Sequence, residues 1–200
     1  MEERRGEMKK NDLLKALRNN TVEQHPMPEI KINAITYEDK VAQFIKISEE
    51  VGGKVKQINK EDDLGEVVKA LYPNAKTFAS NIKEVQNIVQ LNPDTVQEAQ
   101  DLNGTDVAIL AGEWGVAENG CIWVPQTMKE KAVCFISEEL IITLHEQNIV
   151  NNMHEGYKKV CVPDSGYGCW ISGPSKTADI EQSLVMGAQA AKSVTVLLIK

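Results

Sequence analysis

No apolar run in this sequence approaches the roughly 20 residues that a membrane-spanning helix needs. The opening stretch, MEERRGEMKKNDLLKAL, also lacks the hydrophobic core of a signal peptide. The expectation is a cytoplasmic protein without a membrane span. Positive charge is in short supply too: 22 Lys and Arg stand against 29 Asp and Glu, a formal net charge of −7. Nucleic-acid and anionic-membrane binders need a positive face, so neither class is expected. The four cysteines, Cys121, Cys134, Cys161 and Cys169, form no CxxC pair. That argues against a zinc knuckle or an iron–sulfur cluster carried by this chain. Of the three histidines none is brought by sequence logic near Ser165 or Ser175, so no serine–histidine–acid arrangement can be assigned.

What is present suits one globular domain: 200 residues, 42% of them hydrophobic, are enough for a sizeable core. Residues 1–35 read as an arm, with a helix starting near Asn11 around Leu13, Leu14 and Leu17, followed by a linker from Thr21 holding His25, Pro26 and Pro28. Residues 36–200 alternate strand and helix. Thr36 is a candidate cap for a helix with Val41, Phe44, Ile45 and Val51 at helical spacing, stopped by Gly52-Gly53. Lys54 to Ile58 reads as a strand. Asp62 or Asp63 then opens a helix whose Leu64, Val67, Val68 and Leu71 fall at i, i+3, i+4 and i+7. Ala75 to Ala79 and Asp106 to Ala111 are further strands, with short helices expected at Lys83 to Val89 and within Asn92 to Asn103. Ala132 to Ile136 and Leu140 to Leu144 read as a hairpin of core strands. The alternation predicts an α/β layer fold with a mainly parallel central sheet flanked by helices.

The most chemically loaded stretch is Ile171 to Glu181, ISGPSKTADIE. Gly173 and Pro174 make a tight turn, Ser172, Ser175 and Thr177 supply hydroxyls, and Lys176 supplies a charge. Ile180, Leu184, Val185 and Ala188 follow at a spacing that predicts an amphipathic helix. A helix N-terminus exposes unsatisfied N–H groups and the positive end of the macrodipole, so this loop is a candidate anion site. Gly173, Ser175, Lys176 and Thr177 would bind the anion and Asp179 would orient it. The plainer alternative makes Ser175 or Thr177 an ordinary helix cap.

Ile171 to Glu181, followed by Leu184-Val185-Met186-Gly187 and a β-rich run from Ser193 to Ile199, resembles the C-terminal signature of the lactate-utilisation (LUD-domain) family, in particular its protein C branch. Lys176 stands where that family usually has arginine. Asp106 to Val124, DVAILAGEWGVAENGCIWV, is similar to the family's strand, G-I-A-E-T-G-type loop and following strand. The resemblance implies a fold of the sugar-phosphate isomerase and CoA-transferase type. It also implies a role in oxidising L-lactate to pyruvate, as an accessory subunit beside iron–sulfur partner proteins that carry the electrons. Two family histidine positions are empty here: Glu139 and Leu140 occupy one region, Gln189 the other.

A second reading concerns Glu118-Asn119-Gly120. Asn-Gly between apolar runs is a hairpin signal, because both residues tolerate positive φ. The same triplet resembles the class I CoA-transferase signature, in which the glutamate is a nucleophile, although Ala117 replaces the serine found there. A carboxylate partly desolvated on such a turn can attack an activated acyl group. The alternatives to the lactate-oxidation subunit are therefore a stand-alone acyl-transfer or small-anion enzyme using Glu118, with Asn119 and Gly120 at its ligand, and a binding module without turnover.

Overall fold

The computed structural model describes residues 10–20, 32–160, 166–180 and 182–200. Most of the expected linker, together with Cys161, Asp164, Ser165 and the side chain of Asp179, lies outside the described residues. The chain divides into two compact units, Met1–Asn33 and Ala34–Lys200. The first holds one amphipathic helix, α1 (Lys10–Asn19), which carries Leu13, Leu14 and Leu17.

The second unit is an α/β structure. Helix α2 (Lys40–Glu50) is capped by Asp39, not by Thr36: the Asp39 carboxylate accepts from Val41 N–H at 3.0 Å and Ala42 N–H at 2.9 Å. It ends at Val51, with Gly52 at φ +89° turning the chain into β1 (Lys54–Ile58). Helix α3 (Leu64–Leu71) takes Asp63 as its cap. Next come β2 (Phe78–Ala79) and β3 (Val107–Ala111). Between them the two expected helices shrink to single 3₁₀ turns, Lys83–Val85 and Ala99–Leu102.

β6 (Glu139–His145) and β11 (Ser193–Ile199) complete a five-stranded sheet in the order β1-β11-β6-β3-β2, parallel at every step. Alternate side chains divide the core. Ala108, Leu110, Ile142, Leu144, Val196 and Leu198 join one cluster with Phe44 of α2, while Ile109, Ile141 and Leu197 join another with Val68 of α3. Strands buried on both faces read as continuous apolar runs, which is why ILA, LIITL and VLLI stand out in the sequence.

A four-stranded sheet shares the first cluster. It consists of β4 (Trp114–Val116), β5 (Ile122–Pro125), β7 (Ile149–Val150) and β8 (Gly168–Ile171), ordered β7-β4-β5-β8. β4 and β5 pair antiparallel, as the Asn119-Gly120 signal predicts, and Gly120 has φ +68°. Helix α5 (Met153–Lys159) follows β7.

Two expectations fail. Ala132 to Ile136 is not a strand: Val133–Ile136 forms one helical turn, α4, and both edges of β6 are taken by β3 and β11, leaving no place for a hairpin partner. A short apolar run carries no periodicity that separates helix from strand. Nor does a helix follow the signature loop: β9 (Lys176–Ile180) and β10 (Ser183–Met186) form an antiparallel hairpin. Ser175 N–H donates to Ala191 O and Gly187 N–H to Ser175 O, each at 2.9 Å. The chain therefore returns to its starting point within twelve residues, where a helix would have carried it about 18 Å away.

Candidate functional site

Three segments far apart in sequence meet at the C-terminal end of α2. The first is the α2 terminus with Gly52 and Gly53. The second is the Glu118–Cys121 turn. The third is the signature loop, Ser172–Lys176. The Ser172 hydroxyl donates to Asn119 O at 2.8 Å, and the Asn119 side chain accepts from Cys121 N–H at 3.1 Å. Lys176 Nζ donates to the Val51 carbonyl. Close glycines make the junction possible: a Cβ on Gly120 would lie 3.3 Å from Ser48, and one on Gly173 would lie 2.8 Å from Val51 O, with φ +62°. Both candidate loops of the sequence therefore fall in one place.

The electrostatics differ from the sequence-based expectation. What lies at the loop is the C-terminus of α2, the negative end of its dipole, and the exposed Lys176 ammonium gives one of its three N–H donors to the carbonyl of Val51 at that helix end. The helix N-terminus that motivated an anion site does not exist here. Thr177 pairs with Val185 in the hairpin, and Asp179 contributes backbone to β9.

Glu118 is exposed instead of desolvated, and its carboxylate accepts from Met153 N–H at 3.0 Å, at the first residue of α5. It stands as a helix-end acceptor, without the dry surroundings that sharpen a carboxylate nucleophile. Cys121 is half-buried; burial pushes its thiol up, offset in part by a hydrogen bond with Ser172, so it stays protonated. Among the described residues no three His, Cys, Asp or Glu side chains are grouped to hold a metal ion.

Beside the signature loop opens a cleft of about 350 Å³, lined by Ser172, Ser175, Lys176, Trp170, Gln189 and Leu140 among others. Trp170 was not singled out by the sequence. Its ring packs on Trp123 at 5.3 Å between centroids and on Tyr157 at 5.7 Å, and its indole N–H is buried without a hydrogen-bond partner. An unmet buried donor costs about 1–3 kcal/mol. The cleft thus carries donors and one cation over an apolar wall, a composition suited to a small polar or anionic group.

Fold and site together define an α/β protein with a parallel five-stranded sheet and a glycine-turned signature loop braced on a helix C-terminus. The chain belongs to the LUD-domain family, whose model matches residues 41–199. Among solved structures it is similar to a DUF162 family protein from Deinococcus radiodurans, at 16% identity and a TM-score of 0.64, covering 84% of this chain and 100% of that one. No curated protein matches the chain. Among the described residues no helix is long and apolar enough to cross a membrane.

Proposed function

We propose that the chain is a cytoplasmic accessory subunit of a system that oxidises L-lactate to pyruvate, with iron–sulfur partner proteins taking up the electrons. The observation that carries this reading is the LUD-domain match over 41–199. The reaction removes two electrons and two protons, one proton from the hydroxyl oxygen and one from the carbon that bears it, so it requires an electron acceptor. In this proposal that acceptor is the partners' clusters. This chain's own contribution is to hold a small carboxylate in the cleft beside the signature loop, where Lys176 and Ser175 offer donors.

The experiment is an affinity purification of the tagged chain from its native cells under anaerobic conditions, with and without chemical cross-linking, followed by identification of co-purifying chains and an iron assay. Stoichiometric recovery of iron-containing partners is expected. Recovery of the chain alone in both preparations would overturn the subunit reading. Separately, titration with L-lactate should show saturable binding weakened roughly tenfold by Lys176→Ala, the loss of about one charge-assisted hydrogen bond. Equal binding by the variant would remove Lys176 from the site.

A further inference from the structure

All five strands of the parallel sheet run the same way, and in open α/β sheets ligands collect in the crevice beyond the carboxyl ends of the strands. The signature loop is not there. Four strands, β1, β3, β6 and β11, end at Ile58, Ala111, His145 and Ile199, and these residues line a cleft of about 620 Å³. That volume lies in the range of small-molecule sites, roughly 300–1,000 Å³, and exceeds the cleft beside the signature.

We infer that this carboxyl-end cleft is a second ligand site, built for a phosphate-free ring compound bearing hydroxyl or amino groups, a nucleoside being the representative. Ile58, Ala111 and Ile199, with Leu64 and Ile82, form an apolar floor suited to a flat ring, and His145 and Thr143 add polar side chains beside it. The rim is acidic: Asp62, Asp63 and Glu84 stand against a single lysine, Lys60. Two of these carboxylates are fixed in place. Asp62 accepts Asn59 N–H at 2.8 Å and Asp63 accepts Glu66 N–H at 3.0 Å, one oxygen each. The second oxygen of each remains an acceptor. Oriented carboxylates accept hydrogen bonds from sugar hydroxyls or ring amines and repel phosphates. The N-terminus of α3, which opens on this cleft, is already answered by its own Asp63 and offers a phosphate little. This site is separate from the lactate reading, which concerns the cleft holding Lys176.

The test titrates the full-length protein with adenosine, guanosine, cytidine and uridine, each beside its 5′-monophosphate, by calorimetry or amide chemical shifts. At least one nucleoside should bind saturably, with its monophosphate weaker by roughly 3- to 10-fold, the effect of one or two like charges at close range in solvent. Glu84→Lys, on an exposed turn, should narrow or invert that ratio. Ala111→Phe, at the exposed end of β3, should abolish nucleoside binding while L-lactate binding is unchanged. Absence of saturable binding by all four nucleosides overturns the inference, as does binding that Ala111→Phe leaves intact. Should Ala111→Phe fail to fold, Glu84→Lys decides: an unchanged nucleoside-to-monophosphate ratio overturns it.

Discussion

Gly173 sits at φ +62°, and an added Cβ would press to 2.8 Å on the backbone oxygen of Val51. Backbone cannot yield as a flexible side chain does, so Gly173→Ala is expected to cost about 1–3 kcal/mol, measured by chemical denaturation. A variant as stable as its parent would mean the loop is not seated on α2. Cys134 supplies a pH-dependent case. It is buried, and burial, aided by the neighbouring Cys169, pushes its thiol up from 9.0 to about 12. In the unfolded chain the thiol ionises near pH 9, while in the native state it stays protonated. The unfolded state then binds fewer protons, so stability falls as pH climbs from about 9 towards 12. Cys134→Ala should flatten that decline in denaturation midpoints; an identical slope would remove Cys134 as its source. At this scale the turn glycines were legible because positive φ is a local demand. The partner of Lys176 was not, since Val51 lies 125 positions away and a lysine's chemistry does not name its acceptor.

The β9–β10 hairpin is where local pattern and structure part. Ile180, Leu184, Val185 and Ala188 fit a helical stripe, yet Leu184 is 68% exposed in the hairpin and stabilises nothing by burial. The two hydrogen bonds of Ser175 to residues beyond the hairpin outweigh the stripe, because they join both ends of the segment to a fixed point of the core. The turn takes Gln182 at φ 58°, a left-handed conformation that costs a non-glycine residue about 1–2 kcal/mol. Gln182→Gly should therefore raise the denaturation midpoint, corresponding to about 1 kcal/mol after glycine's own entropy is offset. A fall in stability would show that the turn adopts some other backbone. Elements with strongly patterned sequences, α3 and β3, came out as read, and so did α2 apart from its start, which Asp39 caps in place of Thr36. The four-residue α4 did not, because a single turn carries no period.

For the whole molecule, the parallel order β1-β11-β6-β3-β2 assigns roles by position. The chain leaps from β1 across the sheet to β2, then returns strand by strand, so its last strand, β11, closes beside its first. That arrangement puts both clusters of core residues inside Ala34–Lys200. A chain beginning at Ala34 is expected to retain a cooperative thermal transition at the parent's midpoint, followed by circular dichroism; loss of cooperativity would make Met1–Asn33 part of the folding unit. The formal net charge of −7 limits the ligands that reach any cleft by long-range attraction. A small carboxylate must therefore be held by local donors such as Lys176, and the acid-rimmed carboxyl-end cleft favours a ligand without phosphate.

The fold class, the parallel sheet and the family were written in the sequence, because apolar runs, alternation of elements and an ordered signature are local properties of the chain. So was the importance of the turns at Gly120 and Gly173. Their meeting at the end of α2, the replacement of a helix N-terminus by a helix C-terminus, and the unmet indole N–H of Trp170 are contacts between distant segments, fixed only when the two sheets and α2 pack around a common core. The sign of the field at the signature loop was decided by that packing, since a dipole acts by where it points, and no stretch of sequence carries its own orientation.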